Sequence, residues 1–538
     1  MRVSIPVLLF GCFLAAGVGC AKSDGTGTGG SDDTGGSSAT GGSSSSGTGG
    51  NSATGGNSAT GGNGSGTGGN VATGGTTGTG GNRATGGSTG TGGNRATGGS
   101  TGTGGSSSTG GSTGTGGTGT TSCTITPTAS TSTKIGTVGI VTFTTTLSSP
   151  TAAQIDFGLD TTYGMTAPVT LTASMYRTLL LGMKPAKTYH YRVSVTNASG
   201  TCMGTDNTIM TGQMPNGVAP AGLSTVTANA SALYKGFIVT GEYVTSGGAP
   251  AYILDSDGTL VWWYNDGSDA CGARMSYDGQ YMWIASADVS SPDHTHRVTM
   301  DGLTDTDFTT PFMGHSHQVT PLPDGSVAFY AAGSNGCDDI KVFPANGTPT
   351  STATTVVNAR TAHGGMGPCH VNNIEYSPTD DALIFSDLDN SCLTKVDRKT
   401  GSTIWVLNGG SPSGVTSTFT GTSYTGGEHG FQVVSVNDIL LFNNNTGGSG
   451  GSQALEFTLD PVAKTIKKIF SYQPSPAINV MVLGDVQRLP NGNTIVDFGT
   501  GGQIQEVTSS GTVVQTITSQ VAFGFFEKRA SLYGPSTK

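Results

Sequence analysis

The chain has 538 residues, of which 90 are glycine and only 11% are charged, and its formal net charge is −10. Lysine and arginine form no run. Without a basic stripe, nucleic acid is excluded as a partner.

Arg2 opens the chain, and Val3 to Val18 is mostly apolar but broken by Pro6 and small residues. This is too short and too interrupted for a membrane span and reads as a secretory segment, so residues 1–19 are expected to be a signal peptide. No later stretch reaches the roughly 18 apolar residues that a span needs. Gly17-Val18-Gly19-Cys20 resembles a bacterial lipobox, with Gly17 where leucine is usual. That resemblance implies a lipid at Cys20, an exported protein of the bacterial cell envelope, and no other contact with membrane. The alternative is ordinary cleavage near Ala15-Ala16-Gly17, with Cys20 incidental.

Residues 20–122 are almost wholly Gly, Ser, Thr, Asn and Ala, in short recurring units such as the Asn82-Arg83 segment that returns at Asn94-Arg95. So few apolar side chains cannot offset the entropy of ordering the chain, and a disordered tether is expected. A flexible coil of about a hundred residues spans about 55 Å. Six cysteines follow it: Cys123, Cys202, Cys271, Cys337, Cys369 and Cys392. An even number in an exported chain predicts disulfides with no free thiol left over. None is spaced as C-x-x-C, so neither a metal nor any other cofactor is expected.

Residues 123–212 alternate in the manner of half-buried strands, most clearly in Tyr189-His190-Tyr191-Arg192-Val193-Ser194-Val195. The run Leu181 to Val193 resembles the corner of fibronectin type III domains, which implies a small β-sandwich.

Residues 213–538 carry a unit of roughly fifty residues, a period that points to a propeller. Six turns mark it: Ser256-Asp257-Gly258, Tyr277-Asp278-Gly279, Pro323-Asp324-Gly325, Asp380-Asp381, Asn437-Asp438 and Pro490-Asn491-Gly492, each before an apolar strand. The fold class expected is therefore all-β: a six-bladed β-propeller preceded by the sandwich and the disordered linker. His317, His370 and His429 open consecutive units at one phase. Equivalent inner-strand positions face one central channel, so the three are expected to share a site. His294, His296, His315 and His363 are off this phase, although His315 is close enough to reach the channel mouth.

These units resemble the bacterial arylsulfate sulfotransferases. The resemblance rests on Gly314-His315-Ser316-His317 through Gly325, on Cys369-His370-Val371-Asn372-Asn373-Ile374-Glu375-Tyr376, on Glu428-His429-Gly430-Phe431 with Leu441-Phe442-Asn443-Asn444-Asn445, and on Arg529-Ala530-Ser531-Leu532-Tyr533. It implies transfer of a sulfuryl group from an aryl sulfate to a phenolic acceptor without a nucleotide. His429 would be the nucleophile, His317 and His370 would donate to the sulfuryl oxygens, and Asn372 falls inside the second motif. One position departs from the family: Ser386-Asp387-Leu388-Asp389-Asn390 has Leu388 where the family has an arginine that binds the sulfuryl group. Asp387 and Asp389 beside it would repel an anion. Arg274 is the candidate replacement base, and Asp387, Asp389 and Asn390 read as a polar turn before a calcium site. Leu388 supports a second reading, a tethered propeller that binds a small molecule, glycan or protein and does no chemistry.

Overall fold

Alternation in the sequence becomes two packed layers in residues 123–212. The computed structural model describes residues 123–538, apart from 172–174, 244–247, 266, 268–269, 287–293, 316, 410–413, 422–423, 425–426, 446–449 and 536–537. The signal peptide, Cys20 and the tether lie outside the described residues. One sheet is formed by Ile125–Thr131, Gly139–Thr145 and Tyr176–Leu180. The other is built on Ala152–Gly158 and Thr188–Asn197. The inward residues of both, among them Val141, Phe143, Ile155, Phe157, Tyr191 and Val193, form one buried cluster, and a disulfide joins Cys123 to Cys202.

The remaining described residues form six sheets, antiparallel except where Thr420–Gly421 pairs in parallel with Thr465–Tyr472. Chain order gives the second sheet as Gly272–Met275, Tyr281–Ala285, Thr295–Thr299 and Asp305–Asp307. The third and fourth repeat this four-strand order from Thr320–Pro321 and from Val371–Ser377. The fifth begins at Glu428–Val433 and the sixth at Asp485–Arg488. The first strands of successive sheets pack side by side, so they make the inner wall of a propeller-like body. The first sheet departs from the pattern. Its inner edge is supplied by Ala522–Phe523 and Glu527–Arg529, which pair with Phe237–Tyr243. The sixth sheet takes Ser224–Thr227 onto Val513–Thr518 as its outermost strand.

That exchange corrects one expectation about the repeat. Five of the six turns join an inner strand to its neighbour, but Ser256-Asp257-Gly258 joins Ala251–Leu254 to Leu260–Tyr264, on the outer side of the first sheet. Because the inner strand of this sheet comes from the far end of the chain, no inner turn exists there to be read.

The cysteine expectation is also corrected. Cys337 pairs with Cys369, but Cys271 and Cys392 are buried and form no disulfide among the described residues. They lie in separate apolar clusters, Cys271 with Tyr243, Leu483 and Phe525, and Cys392 with Val406 and Val415. Both behave as small apolar core residues, which counting cannot distinguish from half-cystines.

The sandwich packs on the first two sheets. Ile135, Val138 and Leu181 share a core with Leu254, Trp262 and Met300. The Tyr533 hydroxyl donates to Leu179 O at 2.9 Å and accepts from the Leu181 N–H at 2.8 Å.

Candidate active site

His317 stands three residues before the inner strand of the third sheet, His370 one residue before that of the fourth, and His429 is the second residue of that of the fifth. The His317 ring centre is 5.4 Å from that of His370 and 6.3 Å from that of His429. Phe525, from the segment that closes the first sheet, lies edge-on to His317 at 6.1 Å. His317 has φ +62°, a left-handed conformation uncommon outside glycine. Such strain persists only where the surroundings enforce it. The His317 backbone is met closely by Gly272, where a Cβ would fall 2.3 Å from the His317 carbonyl oxygen. The second sheet can therefore press against the His317 backbone only if residue 272 has no side chain.

Burial sets the charge state of these rings. It holds His317 well below the ordinary imidazole value, and the neighbouring His370 and His429 push further in the same direction. Burial lowers His429 to about 4, opposed by its bond to Asn444 and assisted by His370. His429 is thus neutral near pH 7. Its tautomer follows from Asn444. The Asn444 Nδ2 group donates to Val480 O at 3.0 Å and Leu483 O at 2.9 Å. Its Oδ1 therefore faces His429 Nδ1, at 2.8 Å, as an acceptor. Nδ1 carries the proton, and the lone pair is on Nε2. His370 Nε2 is buried and has no hydrogen-bond partner among the described residues.

Asn372 does not line this space with its amide. It donates to Glu428 O at 2.7 Å and accepts from the Ser386 hydroxyl at 2.5 Å, so it fixes the strand just before His429. His315 is buried behind the group: Nδ1 donates to Phe312 O at 3.0 Å, and the Thr295 hydroxyl lies 3.3 Å from Nε2. Burial lowers its value to about 4. Arg274 lies further along its inner strand, with Nη2 2.7 Å from Glu375 Oε1. Burial opposes the Arg274 charge, but Glu375, then Glu527 and Asp485, outweigh it and hold the guanidinium above its ordinary value. Lys538 Nζ joins the same layer, against the Asp485 carboxylate and 3.1 Å from Phe526 O. Between the imidazole layer and this ionic layer, Gln318 donates to Asn373.

The segment around Leu388 does not present two free carboxylates. Asp389 is exposed and Leu388 half-buried, while Asp387 is fully buried. Asp387 accepts four N–H groups: His363 Nε2 at 3.0 Å, His370 N at 3.1 Å, Asn390 N at 3.2 Å and Asn390 Nδ2 at 2.9 Å. Burial alone would raise its value, but the His363 and His370 bonds hold it below the usual carboxylate range. His363, Cys369 and Asp387 bring three potential metal ligands together. In this arrangement, however, the Cys369 sulfur is in a disulfide and His363 Nε2 faces Asp387.

Repeat phase alone does not reveal Asn444 or Asp387. Asn444 stands in the motif Phe442-Asn443-Asn444-Asn445, so its signal was present in the sequence. Asp387 was visible only as a charge.

The model of the Arylsulfotransferase (ASST) family matches residues 340–527. The matched stretch holds His370, His429, Asn444 and Asp387, and His317 precedes it. No curated protein matches the chain by sequence. Among solved structures, TolB from Acinetobacter baumannii is 12% identical with a TM-score of 0.37, covering 66% of this chain and 82% of that one. The Cps50 (Swd1) β-propeller domain of Myceliophthora thermophila is 12% identical with a TM-score of 0.36, covering 57% and 88%. AztD of Citrobacter koseri is 10% identical with a TM-score of 0.27, covering 70% and 97%. Residues 340–527 are thus similar to the arylsulfotransferase domain.

Proposed function

We propose that this chain is a nucleotide-independent aryl-sulfate sulfotransferase working through a sulfo-histidine on His429, in a six-bladed propeller. The observation that carries the reading is the His429–Asn444 bond, which leaves a neutral imidazole with its lone pair on Nε2. In the first step that pair attacks sulfur, the bond from sulfur to the aryl oxygen breaks, and an aryloxide leaves. A phenol leaves at a value near 10 and needs little acid assistance. In the second step the oxygen of an acceptor phenol attacks the same sulfur, the N–S bond breaks, and the phenolic proton goes to solvent. Splitting the transfer in two is what covalent catalysis by an imidazole provides. Sulfuryl transfer, like phosphoryl transfer, has a loose transition state with charge on the peripheral oxygens. Donors at His317 and His370 would stabilise that charge.

The polypeptide around this site is read as an exported lipoprotein: signal peptide 1–19, lipid at Cys20, tether to 122, a fibronectin type III-like sandwich over 123–212 and the propeller over 213–538. The bond from Lys184 N to the Tyr189 hydroxyl, 2.9 Å, supports the sandwich reading, because a tyrosine tied to the upstream backbone is a device of such folds. Leu388 favours the second reading, binding without chemistry, since Arg274 is already paired with Glu375. A chromogenic aryl sulfate and phenol decide between them. Transfer, with the mass of one sulfuryl group gained on the His429 peptide and absent in His429→Asn, supports the enzyme. Binding of aryl sulfate without either signal supports the second reading.

A further inference from the structure

A well-satisfied buried charge in the propeller lies beside the proposed site and has no part in the steps above. Asp387 ends the second strand of the fourth sheet and gathers four N–H donors. One of them is the backbone of His370. The other face of the same residue is also held, because His370 O accepts from Leu388 N at 2.9 Å. The approach to His370 is fixed at successive polar groups. Arg360 donates to Gly367 O at 2.7 Å, Asn390 Nδ2 to Pro368 O at 3.0 Å, and Cys369 N to Gly336 O at 3.1 Å. The disulfide to Cys337 ends one residue before His370.

His363 sets the direction of this network. The Gly365 N–H donates to His363 Nδ1 at 2.9 Å, so Nδ1 holds the lone pair and Nε2 carries the proton. That proton points at Asp387 Oδ2. The Cys369 sulfur lies 3.7 Å from the same nitrogen. The bonds run from Gly365 through His363 to Asp387, and the His370 N–H donates to the same carboxylate from the other side, so both arms converge on Asp387.

We infer that His363 and Asp387 are positioning residues that, together with the Cys337–Cys369 disulfide, hold His370 in register with His317 and His429. This rests on the sulfotransferase reading for its kinetic consequence, but not for its geometric one. The Leu388 segment thereby acquires a role, because the main chain of Leu388 and the carboxylate before it clamp His370. His363, off the repeat phase in the sequence, touches no substrate in this arrangement and acts through Asp387.

The test compares His363→Phe with His363→Gln in the exported protein with its disulfides intact. Phenylalanine removes the donor to Asp387. Glutamine places an amide N–H where Nε2–H stood. A misplacement of about 1 Å can cost on the order of a hundredfold in rate, so His363→Phe is expected to lower kcat by about ten- to a hundredfold with KM for the aryl sulfate nearly unchanged. His363→Gln is expected to restore most of the loss. Carbethoxylation by diethylpyrocarbonate, followed on the His370 and His429 peptides by mass, gives a readout without activity. The His370 rate should change in the phenylalanine variant and return in the glutamine variant, with His429 unaffected. A folded His363→Phe with wild-type kcat and wild-type His370 labelling overturns the inference. So does a glutamine variant as defective as the phenylalanine one. If the wild type transfers no sulfuryl group, the function reading fails and the labelling arm alone decides the positioning claim.

Discussion

Two layers of the same inner wall are built from opposite chemistry. At or just before the starts of the third, fourth and fifth inner strands stand His317, His370 and His429, of which burial holds His317 and His429 uncharged. Further along the wall stand Arg274, Glu375, Glu527, Asp485 and Lys538, all charged types and all buried. Arg274 is paired with Glu375, and Lys538 with Asp485. The lesson concerns where charge is left available. In the ionic layer each cation faces a carboxylate and its field is largely cancelled. In the imidazole layer the His429 Nε2 lone pair is left by the Asn444 bond, and His370 Nε2 has no hydrogen-bond partner among the described residues.

The comparison is broken most severely by removing the nucleophile: His429→Asn should abolish the sulfo-protein and any transfer, read by intact mass and by aryl oxide release. Next comes the group that orients it. Asn444→Leu leaves His429 in place but frees its tautomer, and loss of tautomer control in a catalytic imidazole can cost up to about ten-thousandfold. A fall in kcat on the order of a hundredfold or more is expected. Unchanged kcat would show that Nε2 needs no such help.

The ionic layer should respond in stability instead. Glu375→Gln removes the carboxylate paired with the buried Arg274, and removing one partner of a buried pair costs about 3–5 kcal/mol. Denaturant unfolding should show that loss, while kcat per folded molecule stays within a few-fold. Gly272→Ala, whose new Cβ would meet His317 O, should cost about 1–3 kcal/mol as an overpacked contact does and should also lower kcat.

The smallest effect is on pH. His429 and His315 have folded values of about 4 against about 6.5 in the unfolded chain. Between these values the unfolded state binds more protons, so stability rises with pH and is lost as pH falls from about 6.5 toward 4. Glu242, pushed up to about 7 by burial, acts in the opposite sense over part of the window. The His429→Asn variant should therefore show a shallower acid slope in melting temperature than the wild type.

What the sequence made legible was phase. A strand-turn-strand period is local, so counting residues from Asp324 back to His317 placed an imidazole just before its strand. Pairing across sheets is not local. Nothing near Arg274 names Glu375, 101 residues away. Nothing near Asp387 states that a histidine 24 residues earlier supplies its partner. Cys271 and Cys392 failed for the same reason, since a buried thiol and a half-cystine have the same letter. The displaced turn at Ser256 shows the limit of periodicity itself: the period fails where the ring is completed by a distant segment.

That completion has a consequence for the order of folding. Phe237 pairs with Arg529, and Ser224 with Thr518. Both seams join residues nearly three hundred positions apart, the most expensive kind of loop to close and the slowest to find. During synthesis the earlier sheets can form, but the first and sixth stay incomplete until the segment through Arg529 has emerged. Until then the unpaired edge of Phe237–Tyr243 stands open to other strands. Phe525 arrives beside His317 in the same stroke that seals the ring, so the histidine pocket is finished last, and a chain stalled short of that point would carry an edge prone to aggregation and no complete site.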